Sequence, residues 1–437
     1  MCRFFSGTSR NVGGLPYGQP LFTLVRDKGD RENASEGGAL RHSAFFQNKR
    51  KGEYVVEHIV KRLVEAVSED RPDAGVGVET VYRPAAGDKV MPPSFPGNNG
   101  PYLMETRWVD GEAKKVVVLD QVPSQANRVE EALLAARDAG RIQLPLFELM
   151  AETSRGTLRL TSLEFPHRYA DAYLRDSMVD GVRFDRSEVG QHLRQVSALD
   201  VCPLYERDPG SLLFGAWDSH RKGRWPKFAR IYSSSIVGID PQEGQRKATR
   251  VDPLNLTGAI DDKAKAEADW QYVQVGEKKE KKQGQRLSEI GHGNIAPGEA
   301  HGGVSIIEAR RSGWISLAAI ERLRFGDASA EAAQLARATL VALALAGDRL
   351  TFGRPSVWLR SGCDLVRSGE ILAFEQDGGV REEFALSASE AIEVFHELRD
   401  RAAAAGVVMA TDAIRLEPMP SLAKAIDVST TQAAAEE

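Results

Sequence analysis

The sequence predicts an α+β fold built on a mostly antiparallel sheet. Short β-branched runs such as Val116-Val117-Val118-Leu119 share the chain with helical stretches such as Val56, Ile59, Val60, Leu63, Val64 and Val67. Strands and helices do not alternate strictly, as a doubly wound parallel sheet would require. No repeat of about 20–50 residues is visible, so a solenoid is excluded.

The elements follow in order. Residues 1–53 carry scattered charges with Gly13-Gly14, Pro16, Gly18, Pro20 and Gly37-Gly38, and no period of 2 or 3.6. They read as a disordered arm or as upstream sequence from a misassigned start. Order begins near Tyr54 with an amphipathic helix over 55–68. A Pro/Gly loop at 91–97 leads to a strand at 115–119. Pro123 and Ser124 then open a helix to about Arg137, closed by Gly140. A strand is expected over 157–163, a helix from Pro166 to about Met178, and a strand over 230–239. Residues 261–303 are charged and Gly-rich, with Glu277-Lys278-Lys279-Glu280-Lys281-Lys282 inside, and read as an exposed insertion or a disordered loop. Strands over 304–307 and 314–317 precede an Ala/Leu-rich helix over 331–346, with Gly347 placed as its terminating residue. A strand over 371–375 comes next. Ser387 and Glu390 then form a capping box for a helix that carries Ile392, Phe395 and Leu398 and ends at Gly406. Residues 418–437 read as a frayed tail, leaving 54–417 as one domain.

Composition narrows the function. With 437 residues and 42% hydrophobic content the chain can bury a core without a metal or disulfide staple. Cys2, Cys202 and Cys363 are odd in number and widely spaced, which argues against a disulfide framework and a zinc site and favours a reducing, cytoplasmic compartment. No apolar run is long enough to span a membrane. Phosphate-loop, G-x-S-x-G and H-E-x-x-H signatures are absent, and the eight histidines never fall at ligand spacing. No cofactor or metal is expected. The net charge of -5 counts against nucleic-acid binding unless basic residues are concentrated locally.

They are concentrated at 215–238. Between His220 and Arg230 stand Arg221, Lys222, Arg224, Lys227 and Arg230 with no acid, interleaved with Trp225 and Phe228 and flanked by Trp217 and Tyr232. Cations neutralise phosphates, and aromatic faces take up unstacked bases. The plain alternative is a solvated basic loop with its aromatics in the core. Two weaker groups accompany it. Gln121, Gln125 and Arg128 share a helix face near a helix N-terminus, which suits a phosphate or sugar contact or is simply a polar surface. Arg168, Asp171 and Arg175 share another face, as a salt-bridged ladder or a basic strip. His167 beside them is a capping residue or a nuclease residue. The candidate RNA-contacting set is therefore Lys222, Arg224, Trp225, Lys227, Phe228 and Arg230, with Gln125, Arg128, Arg168 and Arg175 behind it.

Eight ordered markers together resemble one family. They are GDKVMPPSFPG (87–97), LDQVPSQANRVEEAL (119–133), SLEFPHRYADAYLRDS (162–177), LLFGAWDS (212–219), KFARIYSSSIVGID (227–240), SEIGHGNIAP (288–297), GWISLAAIERLRF (313–325) and LRSGCDLV (359–366). From about Tyr54 to about Glu417 the chain is similar to the RAMP-superfamily, Cas-seven-like backbone subunit of type I-G (formerly I-U) CRISPR Cascade complexes. The resemblance implies a palm like an RNA-recognition motif (ferredoxin-like) with thumb and web insertions. It implies a non-catalytic subunit that polymerises as a helical filament along CRISPR RNA and presents it to the target DNA strand in antiviral defence. The implied partners are further copies of itself, other Cascade subunits and a recruited helicase-nuclease, with no membrane. A RAMP-type endoribonuclease is the alternative.

Overall fold

The structure, a computed structural model, describes residues 52, 54–95, 100–217, 227–254, 256, 265–266, 285–286 and 291–435. The arm reading for residues 1–53 falls almost wholly outside them, as do Lys222, Arg224, Trp225 and most of 261–294. The described residues from 54 onward belong to one compact unit.

Helix α1 (residues 54–66) buries Ile59, Val60, Leu63 and Ala66, the stripe its spacing predicts. Strand β1 (Asp73–Pro84) follows, turning Val76, Val78, Thr80 and Tyr82 inward. Next come β2 (Lys89–Val90), β3 (Met104–Val109) and β4 (Glu112–Asp120). Helix α2 (Val122–Asp138) has Pro123 in its first turn, where the missing N–H costs nothing, and Gly140 beyond its end at φ +68°. After β5 (Leu146–Thr153) and β6 (Gly156–Thr161), the chain breaks into short pieces. These are α3 (Ala172–Arg175), β7 (Ser177–Val179), β8 (Val182–Arg183), α4 (Glu188–Leu193), α5 (Cys202–Arg207) and α6 (Pro209–Phe214).

Long strands return with β9 (Tyr232–Ile239) and β10 (Gln242–Arg250), the short pair β11 (Lys265–Ala266) and β12 (Gln285–Arg286), then β13 (Ile295–Ser305) and β14 (Ala309–Ser316). Helices α7 (Leu317–Glu321) and α8 (Ala330–Phe352) lead to β15 (Ser356–Leu359), β16 (Cys363–Gln376) and β17 (Arg381–Glu383). Helix α9 (Ala388–Ala404), β18 (Ala413–Pro418) and α10 (Pro420–Ala435) complete the described chain.

The main sheet runs β15-β16-β1-β14-β9-β4-β3, with β17 on β16, and every pairing in it is antiparallel. The fold is α+β. A smaller sheet β10-β13-β2 continues from β9, and a third, β6-β5-β18-β7-β8, holds the one parallel pair among the described strands, β18 with β5. Helix α8 is the core's axis, with Leu340, Val341, Leu343 and Leu345 all buried.

A charged network lies in that core. Arg311 of β14 and Arg349 of α8 both bond Asp348, Tyr232 donates to Asp348 at 2.9 Å, and Arg349 reaches Glu370 at 2.6 Å. Arg311 lies over the Phe352 ring at 3.8 Å. Burial alone would raise the Asp348 pKa, but the two guanidinium groups hold it down to about 2.

Four expectations are corrected. No helix runs from Pro166 to Met178: Arg168 takes a left-handed φ of +52°, and Asp171 caps a new turn by accepting from the Tyr173 N–H at 2.9 Å. Gly347 lies inside α8, because a Cβ there would sit 2.5 Å from Val129 Cγ1 of α2, so it serves helix contact and not termination. The disordered-loop alternative for 261–303 does not hold from Ile295, where strand β13 begins, whose Gly302 and Gly303 allow close approach to Gln245 and Val90. The supposed frayed tail is α10 over Pro420–Ala435, tied to the β5–β6 turn where the Ser154 N–H donates to Asp427 at 2.7 Å.

Candidate nucleic-acid interface

The basic segment and the Arg168–Arg175 segment are far apart in sequence, and the structure brings them to one cleft of about 830 Å³. Its first wall begins at the end of α6. Gly215 has φ +83°, and a Cβ there would press on the Phe228 carbonyl and Arg230 Cγ at 3.1 Å each, so the turn needs glycine. Ala216 and Phe228 then exchange two backbone hydrogen bonds of 3.1 and 3.0 Å. The chain leaves at Trp217 and returns at Lys227, whose Nζ stands 4.9 Å from the centre of the Trp217 ring. The Ile231 N–H donates to the Leu213 carbonyl at 2.9 Å and leads into β9.

The second wall is Pro166, His167, Arg168, Ala170, Asp171, Ala172 and Arg175. Asp171 closes the turn from both sides, since the His167 N–H also donates to it at 2.8 Å. Arg168 points inward and is bidentate to Glu130 of α2, at 2.6 and 2.8 Å. Its remaining nitrogen donates to the Gly215 carbonyl at 3.0 Å, which links the two walls.

Charge distinguishes the rim from the layer behind the wall. There, behind Arg168, burial pushes the Glu130 carboxyl up to about 7, with Arg168 opposing, and burial also raises Asp208. At the rim stand Arg175, Lys227 and Arg230. Arg175 bonds Asp176 at 2.7 Å and lowers that carboxyl, yet its side chain is 54% exposed. Arg230 has no ion pair among the described residues, and its pKa is lowered first by burial and then by repulsion from Arg168. Cations therefore outnumber carboxylates at the rim, with Trp217, 58% exposed, and the half-buried Phe228 between them.

Of the candidate residues, Arg168, Arg175, Phe228 and Arg230 line the cleft and Lys227 borders it through Trp217. Lys222, Arg224 and Trp225 lie outside the described residues. Gln125 and Arg128 are not brought to the cleft. Gln125 is wholly buried between Asp120 (2.5 Å) and Ser234 (2.7 Å), and Arg128 bonds the same Asp120 at 2.8 Å. A helix face that reads as polar is here turned onto the sheet, because β4 and β9 supply partners for it. Sequence reasoning missed Glu130 and gave Trp217 only a flanking place, although LLFGAWDS presents that indole two residues after a glycine.

No group of His, Cys, Asp or Glu among the described residues could hold a metal ion. Burial, reinforced by Asp200, raises the Cys202 thiol to about 12, which makes it a poor nucleophile. No described helix is long and apolar enough to cross a membrane.

Residues 76–243 match the family model described as CRISPR-associated protein GSU0053 (Cas_GSU0053), over less than half of the chain. The match runs from β1 to the start of β10 and includes every residue found to line the cleft. It supports a CRISPR-associated protein. Comparison with curated proteins gives no match.

Proposed function

We propose that the chain is a non-catalytic CRISPR RNA-binding backbone subunit of a type I-G Cascade, several copies of which stack along one guide and present it to the target DNA strand. The observation that carries this reading is the convergence of Arg175, Lys227 and Arg230, with Trp217 and Phe228, on one cleft inside the segment that matches a CRISPR-associated family. A row of cations tracks phosphates, and an exposed indole offers a stacking face to any base. Such binding is indifferent to sequence, as suits a guide whose own pairing supplies specificity. The antiparallel sheet backed by α2 and α8 is compatible with an RNA-recognition-motif palm.

The experiment is co-expression with the CRISPR array and the neighbouring Cascade genes, purification in moderate salt, and sequencing of the RNA that elutes. Guide-length RNA on an elongated oligomer is expected. A monomer free of nucleic acid that also fails to bind added guide would sink the reading.

His167 favours a second reading, because it lines the cleft. A metal-free RNA cleavage site needs such a group near the 2′-oxygen. If the purified chain cut guide or target RNA, and His167→Ala and His220→Ala variants lost that cleavage, the endoribonuclease would replace the backbone subunit.

A further inference from the structure

Arg168 carries a positive charge in a cleft proposed for RNA, so the simple assignment is a phosphate ligand. Its surroundings are against this. Two of its nitrogens are taken by the buried Glu130 at 2.6 and 2.8 Å, and the third by the Gly215 carbonyl at 3.0 Å. Its side chain is 8% exposed, against 54% for Arg175. Its backbone is left-handed at φ +52°, a conformation a non-glycine residue keeps only where its neighbours hold it. Those neighbours are visible. Asp171 accepts from the His167 N–H, and Ser211, itself bonded to Asp208 at 2.7 Å, accepts from the Tyr169 N–H at 3.3 Å.

The carbonyl that Arg168 holds belongs to the hinge of the opposite wall. One residue beyond Gly215, the Ala216–Phe228 bridge closes the base from which Trp217 departs and to which Lys227 returns, and Arg230 follows two residues later. We propose that Arg168 is a positioning residue: clamped by Glu130, it fixes the Gly215 carbonyl and so sets where Trp217, Lys227 and Arg230 stand in the cleft. The guanidinium fork is essential to this, because it bridges a carboxylate and a carbonyl in one plane. A lysine keeps the charge but not the fork. The effect on RNA rests on the function proposed above; the effect on the wall does not.

The test uses the full chain with Arg168→Lys, Arg168→Gln and Arg230→Gln. Amide hydrogen exchange comes first, without RNA. Loss of protection at Ala216 and Phe228, with core strands such as β1 unchanged, is expected in both Arg168 variants. Protection unchanged at that bridge, or lost evenly across the chain, would overturn the positioning role. Affinity for a labelled oligouridylate across a KCl series comes second, at a temperature where all variants are folded. Arg168→Lys and Arg168→Gln should weaken binding alike, by about tenfold, and flatten the salt slope alike, because either lets Lys227 and Arg230 drift from the phosphates. Arg230→Gln should flatten that slope by roughly 0.7, the value for one phosphate on a single strand. Rescue of affinity and slope by Arg168→Lys, which keeps the charge but not the fork, would make Arg168 a phosphate ligand after all. Absence of RNA binding by the unaltered chain would count against the proposed function, while the exchange result would still decide whether Arg168 sets the wall.

Discussion

The chain uses arginine in two regions for opposite ends. Beneath the main sheet, Arg311 and Arg349 share Asp348, and Arg349 continues to Glu370, all with little or no exposure. At the cleft rim, Arg175 and Arg230 stand at the surface, and Arg230 has no carboxylate partner among the described residues. In the core the charge is matched within a few ångströms, so its field is spent on holding β14 to α8. At the rim the excess is left over for an anion from outside. The Glu130–Arg168 pair stands between the two, matched like the core network but joined to the cleft wall. A net acidic chain can therefore offer a basic surface, since what matters is where the unmatched cations lie.

The largest way to break the comparison is to unmatch the core. Asp348→Asn leaves Arg311 and Arg349 buried without their shared counter-charge, and a loss of about 3–5 kcal/mol is expected in chemical denaturation. A loss below about 1 kcal/mol would mean the network is dispensable. Acid should reach the same end in the unaltered chain. The folded Asp348 pKa, about 2, lies below the ordinary aspartate value, so its contribution is fully present above roughly pH 4 and fades as pH falls through 2. The stability gap between the unaltered chain and Asp348→Asn should accordingly narrow between those limits.

A smaller effect tests the packing that supports both regions, where α8 meets α2. At an exposed helix site Gly→Ala stabilises by up to about 1 kcal/mol. At Gly347 the added Cβ would meet Val129 Cγ1 at 2.5 Å, so Gly347→Ala should instead cost about 1–3 kcal/mol, read by thermal unfolding. A stabilised variant would show that the two helices can separate freely.

That glycine also shows what the sequence could and could not reveal. Helix α1, the start of α2 and the Ser387–Glu390 capping box were legible because each rests on a local pattern of spacing or capping. Gly347 was not, because a glycine that ends a helix and one that admits a neighbouring helix read alike until the neighbour is placed. Strand β1, central in the main sheet, went unassigned. Its alternating Val76, Val78, Thr80 and Tyr82 are interrupted by Gly75 and Gly77, and Gly75 makes room for the Trp314 indole from β14. The basic segment was legible as charge and aromatic content. Its partner wall was legible only as a helix that does not exist, since the turn at Arg168 depends on Glu130, which lies 38 residues away in sequence.

The smallest effect on stability should come from the rim, and it sharpens the comparison most. Lys227 and Arg230 are exposed, and no ion pair is made by either among the described residues, so Lys227→Gln and Arg230→Gln should change stability by no more than about 0.5 kcal/mol. Arg230→Gln also removes a charge that partial desolvation at the base of its side chain and repulsion from Arg168 disfavour more than Glu130 favours it, so a slight gain is the expected sign. RNA affinity should move the other way, falling in each variant and falling further in the double variant. Each substitution should also flatten the salt slope by a similar step, because each removes one phosphate contact. If stability and affinity fell together, the rim cations would be part of the fold, and the division between matched core and unmatched surface would not hold for this protein.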